Sequence, residues 1–238
     1  MWPTDFTQNL LFGLRWVHFL AGITWIGLLY FFNLVNVPFM KEMDASTKLK
    51  VVPSLMPKAL FWFRWGAMVT VIVGLTYHLR TMSTASEYDG NVLRINAILW
   101  WWLLVVMAAF TVGTFLMTWF KSNGRALWIA YLVLVAVMTV ILWRIHAAAG
   151  ASWRILSSSI GGGMGIIMFM NVWMIIWPLQ KRIIAATRAQ AESGAAPPAE
   201  MPAWARRAFL ASRTNTWLSV PLLFFMGAAS HFSIGVGR

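Results

Sequence analysis

The sequence has no cysteine, few charged residues and very few acidic ones. Its 238 residues are 60% hydrophobic and only 11% charged, whereas a soluble domain has about 25% charged residues. This composition all but excludes a water-soluble globule, and an aromatic content of 15% excludes a disordered chain. Without cysteine the chain has no disulfide, zinc–thiolate site, iron–sulfur cluster or covalently attached haem c. We therefore expect an integral membrane protein.

Acidic residues are absent from every predicted membrane span, since all seven Asp and Glu residues lie in loops or tails. Proton relays and many ion sites depend on intramembrane carboxylates. Their absence argues against a proton-pumping subunit, a transporter with a carboxylate cation site and paired-carboxylate catalysis. The start of the chain, MWPTDFTQN, has no basic region, so no cleavable signal peptide is predicted.

Six stretches are long and apolar enough to cross a bilayer, which takes about 20 residues. They predict an all-α, polytopic integral membrane helix bundle with about six transmembrane helices. The predicted spans are residues 9–40, 59–80, 96–120, 126–146, 158–179 and 209–232. Residues 1–238 form a single transmembrane domain in this interpretation, with a flexible cytoplasmic loop at 186–205, where Ala, Pro, Gly and Glu dominate.

The distribution of Lys and Arg predicts the orientation of the bundle. Of the 19 Lys and Arg residues, twelve lie in the first, third and fifth loops, five on the opposite side, and two, Arg15 and Arg64, within spans. Cytoplasmic loops carry such an excess, so the net charge of +12 indicates topology rather than nucleic-acid binding. We expect a multi-pass protein of the bacterial inner membrane with both termini on the outer (periplasmic) side.

The four histidines are the most informative polar residues. His18, His78, His146 and His231 each fall in a different predicted helix, and all four lie in the outer half of the membrane. A neutral imidazole can bind a metal without bringing charge into an apolar region. These residues are therefore candidate ligands of haem b or, as the less favoured option, of copper. The alternative is that a histidine at a helix end simply hydrogen-bonds water in the headgroup region.

Arg15 belongs to the same predicted site. Arg15, His18, Gly22 and Trp25 share one helix face by their spacing of three and four residues. A buried guanidinium needs an anionic partner, and the spans contain no carboxylate, so a haem propionate or an anionic substrate is expected to supply it. Snorkelling to the outer interface is the alternative. Three further residues could join the same outer rim: Arg80, Asn96 and Arg144.

Three segments together resemble the membrane domain of PuuD-type urate oxidases, the urate oxidase N-terminal family. They are GLRWVHFLAGITWIGLLYF at 13–31, MFMNVWMIIWPLQKRIIAA at 168–186 and SRTNTWLSVPLLFFMGAASHF at 212–232. The resemblance places His18 and His231 where the family has histidines. Other residues at motif positions of the family are Trp25, Asn171, Pro178, Gln180, Arg213, Asn215 and Pro221.

The resemblance implies redox chemistry. Full-length members carry a cytochrome c domain on the outer side and are described as oxidising urate to 5-hydroxyisourate, with electrons leaving through the cytochrome. Because this sequence has no cysteine, we expect a shortened relative that lacks the cytochrome c domain and uses a separate cytochrome c or cytochrome-containing subunit. Arg15 would bind an anionic substrate, and a histidine, with His18 as first candidate, would handle its proton.

The sequence therefore predicts a membrane-embedded redox protein that binds haem b near the periplasmic face and exchanges electrons with a cytochrome c. If the protein is an enzyme, we expect a urate oxidase-like, cytochrome c-dependent oxidoreductase. The alternative is an accessory or structural subunit of a respiratory oxidase complex without its own catalysis. A copper or small-solute transporter is disfavoured by the lack of intramembrane carboxylates.

Overall fold

The computed structural model describes residues 5–88 and 90–231, except for the side chains of Glu87 and His231. This part of the chain is helical, with short connections and no strand. Six long helices, α1 to α6, follow one another along it. Their bounds are Phe6–Glu42, Ala45–Ser83, Val92–Trp119, Gly124–Ala148, Trp153–Ser193 and Met201–His231.

Five of these helices, α1 to α5, are long and apolar enough to cross a membrane. The sixth, α6, has 31 residues and carries Arg206, Arg207 and Arg213 in its first half. Large apolar side chains cover the outside of the bundle; Trp62, for example, is 62% exposed. The predicted all-α membrane bundle is confirmed, since such a surface requires lipid around it.

The second helix begins well before the predicted span of residues 59–80. Asp44 caps α2 by accepting a hydrogen bond from the Thr47 amide at 3.0 Å. The hydroxyls of Ser46 and Thr47 also donate to this carboxylate at 2.6 Å and hold the pKa of Asp44 well below its usual range. An N-cap residue of this kind satisfies otherwise unpaired amides and extends the helix into the loop region.

The connection between α5 and α6 is shorter than the loop predicted at 186–205. Helix α5 continues to Ser193 and α6 begins at Met201, so only residues 194–200 lie between them. Gly194 ends α5 with a positive φ of 67°, the left-handed conformation that favours glycine. The Ala-rich part of the predicted loop is helical because alanine has the highest helix propensity.

Helix α5 occupies the centre of the bundle. In its most apolar window 61% of residues are buried, against 22–33% in the other four candidate spans. Its glycines permit this position: a Cβ on Gly163 would lie 3.0 Å from Val106 Cγ2, and one on Gly161 would lie 3.2 Å from Met226 Cε. The glycine-rich segment therefore serves close helix packing.

Two of the helices contain a π-helical turn at the same place relative to a proline. The turns are Phe31–Asn36 in α1 and Asn171–Ile176 in α5, and Pro38 and Pro178 follow each of them at the second position. A proline cannot donate a main-chain hydrogen bond, and a π turn widens the helix by one residue. Arg15 lies near the start of α1 and Arg154 at the start of α5, whereas the π turns lie much further along these two helices.

Candidate functional site

A cavity of about 520 Å³ lies between α1, α2, α5 and α6, with Trp102 of α3 completing its wall. This volume is typical of sites for cofactors and small ligands, roughly 300–1,000 Å³. Most of the lining is apolar, and no Asp or Glu is among the described residues that line it. The lining residues with titratable side chains are Arg15, His18, Tyr77, His78 and Arg154.

Glycines keep the cavity open. Gly22, Gly27 and Gly162 line it, and a Cβ added to any of them would have no neighbour closer than 3.9 Å. A side chain at these positions would therefore project into free space. The glycines let a flat or bulky group approach the helix backbones of α1 and α5.

His18 is fixed in orientation by a main-chain carbonyl of the neighbouring helix. Its Nδ1 lies 2.9 Å from the oxygen of Thr70. A carbonyl can only accept, so Nδ1 carries the proton and the lone pair of the neutral ring is on Nε2. A hydrogen bond of this type orients most metal-binding histidines. His18 lines the cavity, so this is the arrangement that a ligand-binding imidazole needs.

His78 lines the same cavity from α2 but is held differently. Its Nδ1 lies 3.2 Å from the hydroxyl of Ser158, and its Nε2 lies 3.1 Å from the hydroxyl of Ser159. Only 9% of His78 is exposed. Both ring nitrogens are therefore satisfied by α5, and binding a metal would require one serine to turn away.

The third described histidine side chain, that of His146, has a partner on its own helix. His146 is buried, and its Nδ1 donates to the carbonyl of Leu142 one turn earlier in α4, at 2.9 Å. It is not among the residues that line the cavity. The side chain of His231 lies outside the described residues, although its neighbours Ala229 and Ser230 line the cavity. No group of three or more His, Cys, Asp or Glu side chains within the described ranges could hold a metal ion.

Two arginines give the cavity a positive charge. Arg15 donates from Nη2 to the hydroxyl of Ser230 at 3.2 Å, and its guanidinium lies 5.6 Å from the centre of the Phe19 ring. Arg154, at the start of α5, also lines the cavity. Since the described residues supply no carboxylate to the lining, two guanidinium groups favour an anionic group in this space.

The indole of Trp25 offers a free hydrogen-bond donor. Trp25 is only 2% exposed and lines the cavity, and its Nε1 has no hydrogen-bond partner among the described residues. A buried donor without a partner costs about 1–3 kcal/mol. A ligand with an acceptor near Trp25 would remove this cost on binding.

The structure brings together part of the predicted site and adds residues to it. Arg15, His18 and Trp25 lie on the cavity side of α1, as their spacing indicated. Arg80, Asn96 and Arg144, which were expected at the rim, do not line the cavity. Four further residues line the cavity without having been predicted at the site: Thr70, Trp102, Arg154 and Ser158.

A sequence profile of the family described as urate oxidase N-terminal matches residues 43–238. The chain belongs to this family. No curated protein matches the chain, and no solved structure matches it. The matched range includes the motif segments at 168–186 and 212–232, but the segment at 13–31, with His18, precedes it.

The motif asparagines of the urate oxidase N-terminal family contact each other between α5 and α6. Asn171 donates from Nδ2 to Oδ1 of Asn215 at 2.8 Å, and Asn215 donates to the carbonyl of Met168 at 2.9 Å. Both asparagines are fully buried. They do not line the cavity, so these two motif residues connect helices rather than contact its occupant.

Proposed function

We propose that this chain is a membrane-embedded redox protein of the bacterial inner membrane that binds haem b in the cavity and exchanges electrons with a cytochrome c. The observation that carries the proposal is the orientation of His18, whose Nδ1 is bonded to the Thr70 carbonyl while Nε2 keeps its lone pair. Membership of the urate oxidase N-terminal family supports a redox function.

The lining fits the chemistry of a haem group. The ring is flat and largely apolar, and its two propionates are anionic. Glycines at Gly22 and Gly162 leave space for such a ring between α1 and α5. Arg15 and Arg154 would pair with the propionates, and no described carboxylate lines the cavity to compete for them.

The ligand set favours haem over copper. A histidine-only copper site surrounds one ion with several imidazoles, and the described residues offer no group of three potential ligands. Haem iron needs only one or two axial ligands from the protein. His18 would hold the iron, and His78 or His231 would be the second histidine available to it.

The protein's own residues hold and shield this group in the proposal. When bound, haem supplies a reversible one-electron change at iron. Thr70 fixes the ring of His18 through its carbonyl. Trp25 would donate from Nε1 to an acceptor of the occupant. Apolar side chains such as Leu222 and Met226 exclude water from the cavity.

An anionic, urate-like substrate is the second candidate for the cavity. The observation that favours it is the pair of arginines, Arg15 and Arg154, beside the unpartnered donor of Trp25. A small planar anion would use these groups as hydrogen-bond donors. Oxidation of such an anion would make the chain an oxidoreductase, with a cytochrome c as electron acceptor.

A variant series tests the haem proposal. The full-length protein and the variants His18→Ala and His146→Gln are purified in detergent, and bound haem is measured by absorbance. We expect His18→Ala to lose most of its haem because an axial ligand is missing. His146→Gln should keep its haem, since His146 does not line the cavity. Haem retained by His18→Ala with an unchanged spectrum would refute the ligand assignment.

Electron exchange is tested separately. The dithionite-reduced protein is mixed with oxidised cytochrome c, and the absorbance changes of both haems are followed in a stopped-flow instrument. Rapid, salt-sensitive oxidation of the membrane protein is expected. A haem-free protein that co-purifies stoichiometrically with an oxidase would support the alternative, an accessory subunit of a respiratory complex.

A further inference from the structure

Two basic side chains meet at one aromatic ring, far along α5 from the cavity. The guanidinium carbon of Arg64, on α2, lies 3.7 Å from the centre of the Trp177 ring. The ammonium nitrogen of Lys181, on α5, lies 6.0 Å from the same centre. The two charges are therefore at most about 10 Å apart, the sum of these distances. None of the three residues lines the cavity, and the proposed haem function does not use them.

The direction of the two helices brings these charges together. Helices α2 and α5 run antiparallel, because His78 near the end of α2 contacts Ser158 near the start of α5, whereas Arg64 contacts a later turn of α5. Side chains on a helix lean towards its N-terminus. Arg64 therefore leans out of the apolar part of α2 towards the membrane surface, and Lys181 leans back from that surface to the level of Trp177.

The charges of Arg64 and Lys181 have no anionic partner in the protein. Within the described residues neither side chain forms a hydrogen bond or an ion pair. The contact of Arg64 with Trp177 uses the flat face of the guanidinium, which leaves its N–H groups free to donate in the plane of the group. A cation at the edge of an apolar region is costly without acceptors. An anion from outside the chain would supply them.

The surface beside this pair is aromatic and open to lipid. Phe61 and Trp65, on the same helix as Arg64, are 45% and 44% exposed. The Phe61 ring centre lies 5.7 Å from the Arg64 guanidinium, and the Trp65 ring packs edge-on against Trp173 of α5 at 5.8 Å. In a membrane, acyl chains cover such side chains. A molecule bound here thus meets positive charge at one end and an apolar surface next to it.

We infer that Arg64, Trp177 and Lys181 bind the headgroup of an anionic phospholipid, whose acyl chains cover Phe61 and Trp65. The phosphodiester oxygens accept hydrogen bonds from the guanidinium and from the ammonium group. Basic pockets between transmembrane helices bind anionic headgroups in this way. A free phosphate ion offers the same acceptors but has no chains to cover the aromatic surface, so the site takes a lipid.

Lipid titration tests this inference. The full-length protein is purified in detergent and freed of bound lipid, phosphatidylglycerol or phosphatidylcholine is added, and the bound lipid is counted by native mass spectrometry. We expect a Kd for phosphatidylglycerol at least tenfold below that for phosphatidylcholine, because only phosphatidylglycerol has a net negative charge. An excess of inorganic phosphate should not displace it. Equal affinities for the two lipids would overturn the inference, and so would displacement by phosphate, which would identify a site for the free ion.

Variants locate the site. Arg64→Gln and Lys181→Gln should each weaken phosphatidylglycerol binding about tenfold, the effect of losing one charge-assisted hydrogen bond, and leave phosphatidylcholine binding unchanged. Arg125→Gln is the control, because Arg125 is exposed at the start of α4 and is no partner of Trp177. Equal losses in all three variants would show general charge attraction and overturn the inference. If Arg64→Gln does not fold, Lys181→Gln decides, since Lys181 is exposed.

Discussion

The imidazole of His18 occupies the space that the missing side chain of Gly74 leaves on α2. A Cβ on Gly74 would lie 2.7 Å from His18 Cε1 and 2.8 Å from Nδ1. Such distances are too short for a methyl carbon against a ring atom. Gly74 therefore allows His18 to reach the Thr70 carbonyl, four residues earlier on the same helix.

A methyl group at this position is expected to displace His18. Gly74→Ala should reduce haem occupancy at least tenfold, because the ring must leave the Thr70 carbonyl. Overpacking should also lower stability by about 1–3 kcal/mol. Gly13→Ala is the matched control, since a Cβ on Gly13 would have no neighbour within 4 Å. Haem titration and thermal unfolding measure the two effects, and full haem occupancy in Gly74→Ala would argue against this role of the glycine.

The two arginines should contribute to haem affinity and to its midpoint potential. Arg15→Gln and Arg154→Gln each remove a positive charge that stabilises the propionates and the reduced, more negative haem. We expect each variant to weaken haem binding about tenfold, a typical effect for a hydrogen bond to a charged group, and to lower the midpoint potential. Spectroelectrochemical titration measures the potential.

The control for the arginine variants is Arg188→Gln. Arg188 is exposed near the C-terminal end of α5 and does not line the cavity. Its replacement should leave the affinity and the potential unchanged. If the three variants behave alike, the charge effect is general and not specific to the cavity.

Replacing Trp25 should change the affinity for the occupant of the cavity but should not lower the stability of the empty protein. Its Nε1 has no partner within the described residues, so Trp25→Phe loses no hydrogen bond in the empty protein. The Tm of the haem-free protein should stay the same or rise, whereas affinity for the occupant should fall two- to tenfold. Trp62→Phe, at a lipid-facing position that is 62% exposed, is the control. A large loss of stability in empty Trp25→Phe would contradict the prediction.

The orientation of the bundle can be measured with single cysteines, because the chain has no cysteine of its own. Ala196→Cys lies in the connection between α5 and α6, and Thr84→Cys lies after α2. The excess of Lys and Arg predicts that the first is cytoplasmic and the second periplasmic. A membrane-impermeant maleimide added to intact cells should label Thr84→Cys only. Labelling of Ala196→Cys alone would reverse the predicted orientation.

The helices could be predicted from the sequence because a span requires a long apolar stretch. The ends of the helices could not be predicted in this way. Arg154 was missed since the predicted span began at residue 158, whereas α5 begins at Trp153. The polar turn before the apolar stretch is helical and brings Arg154 to the cavity.

The predicted site shows what depth in a membrane can and cannot determine. His18 and Trp25 were placed on one face by their spacing, and the structure has both at the cavity. His146 was grouped with them by depth alone. Depth does not fix the direction in which a side chain leaves its helix, and His146 turns back to Leu142 of its own helix. The π turns at Phe31–Asn36 and Asn171–Ile176 have no clear sequence signal beyond the prolines that follow.

The haem content of the wild-type protein tests the central claim most directly. The full-length chain is purified in detergent, its spectrum is recorded in the oxidised and dithionite-reduced states, and haem is quantified after extraction into pyridine. A Soret band that shifts on reduction, with about one haem b per chain, is the result that the account predicts. A colourless protein that takes up no haem when haem is supplied would contradict it.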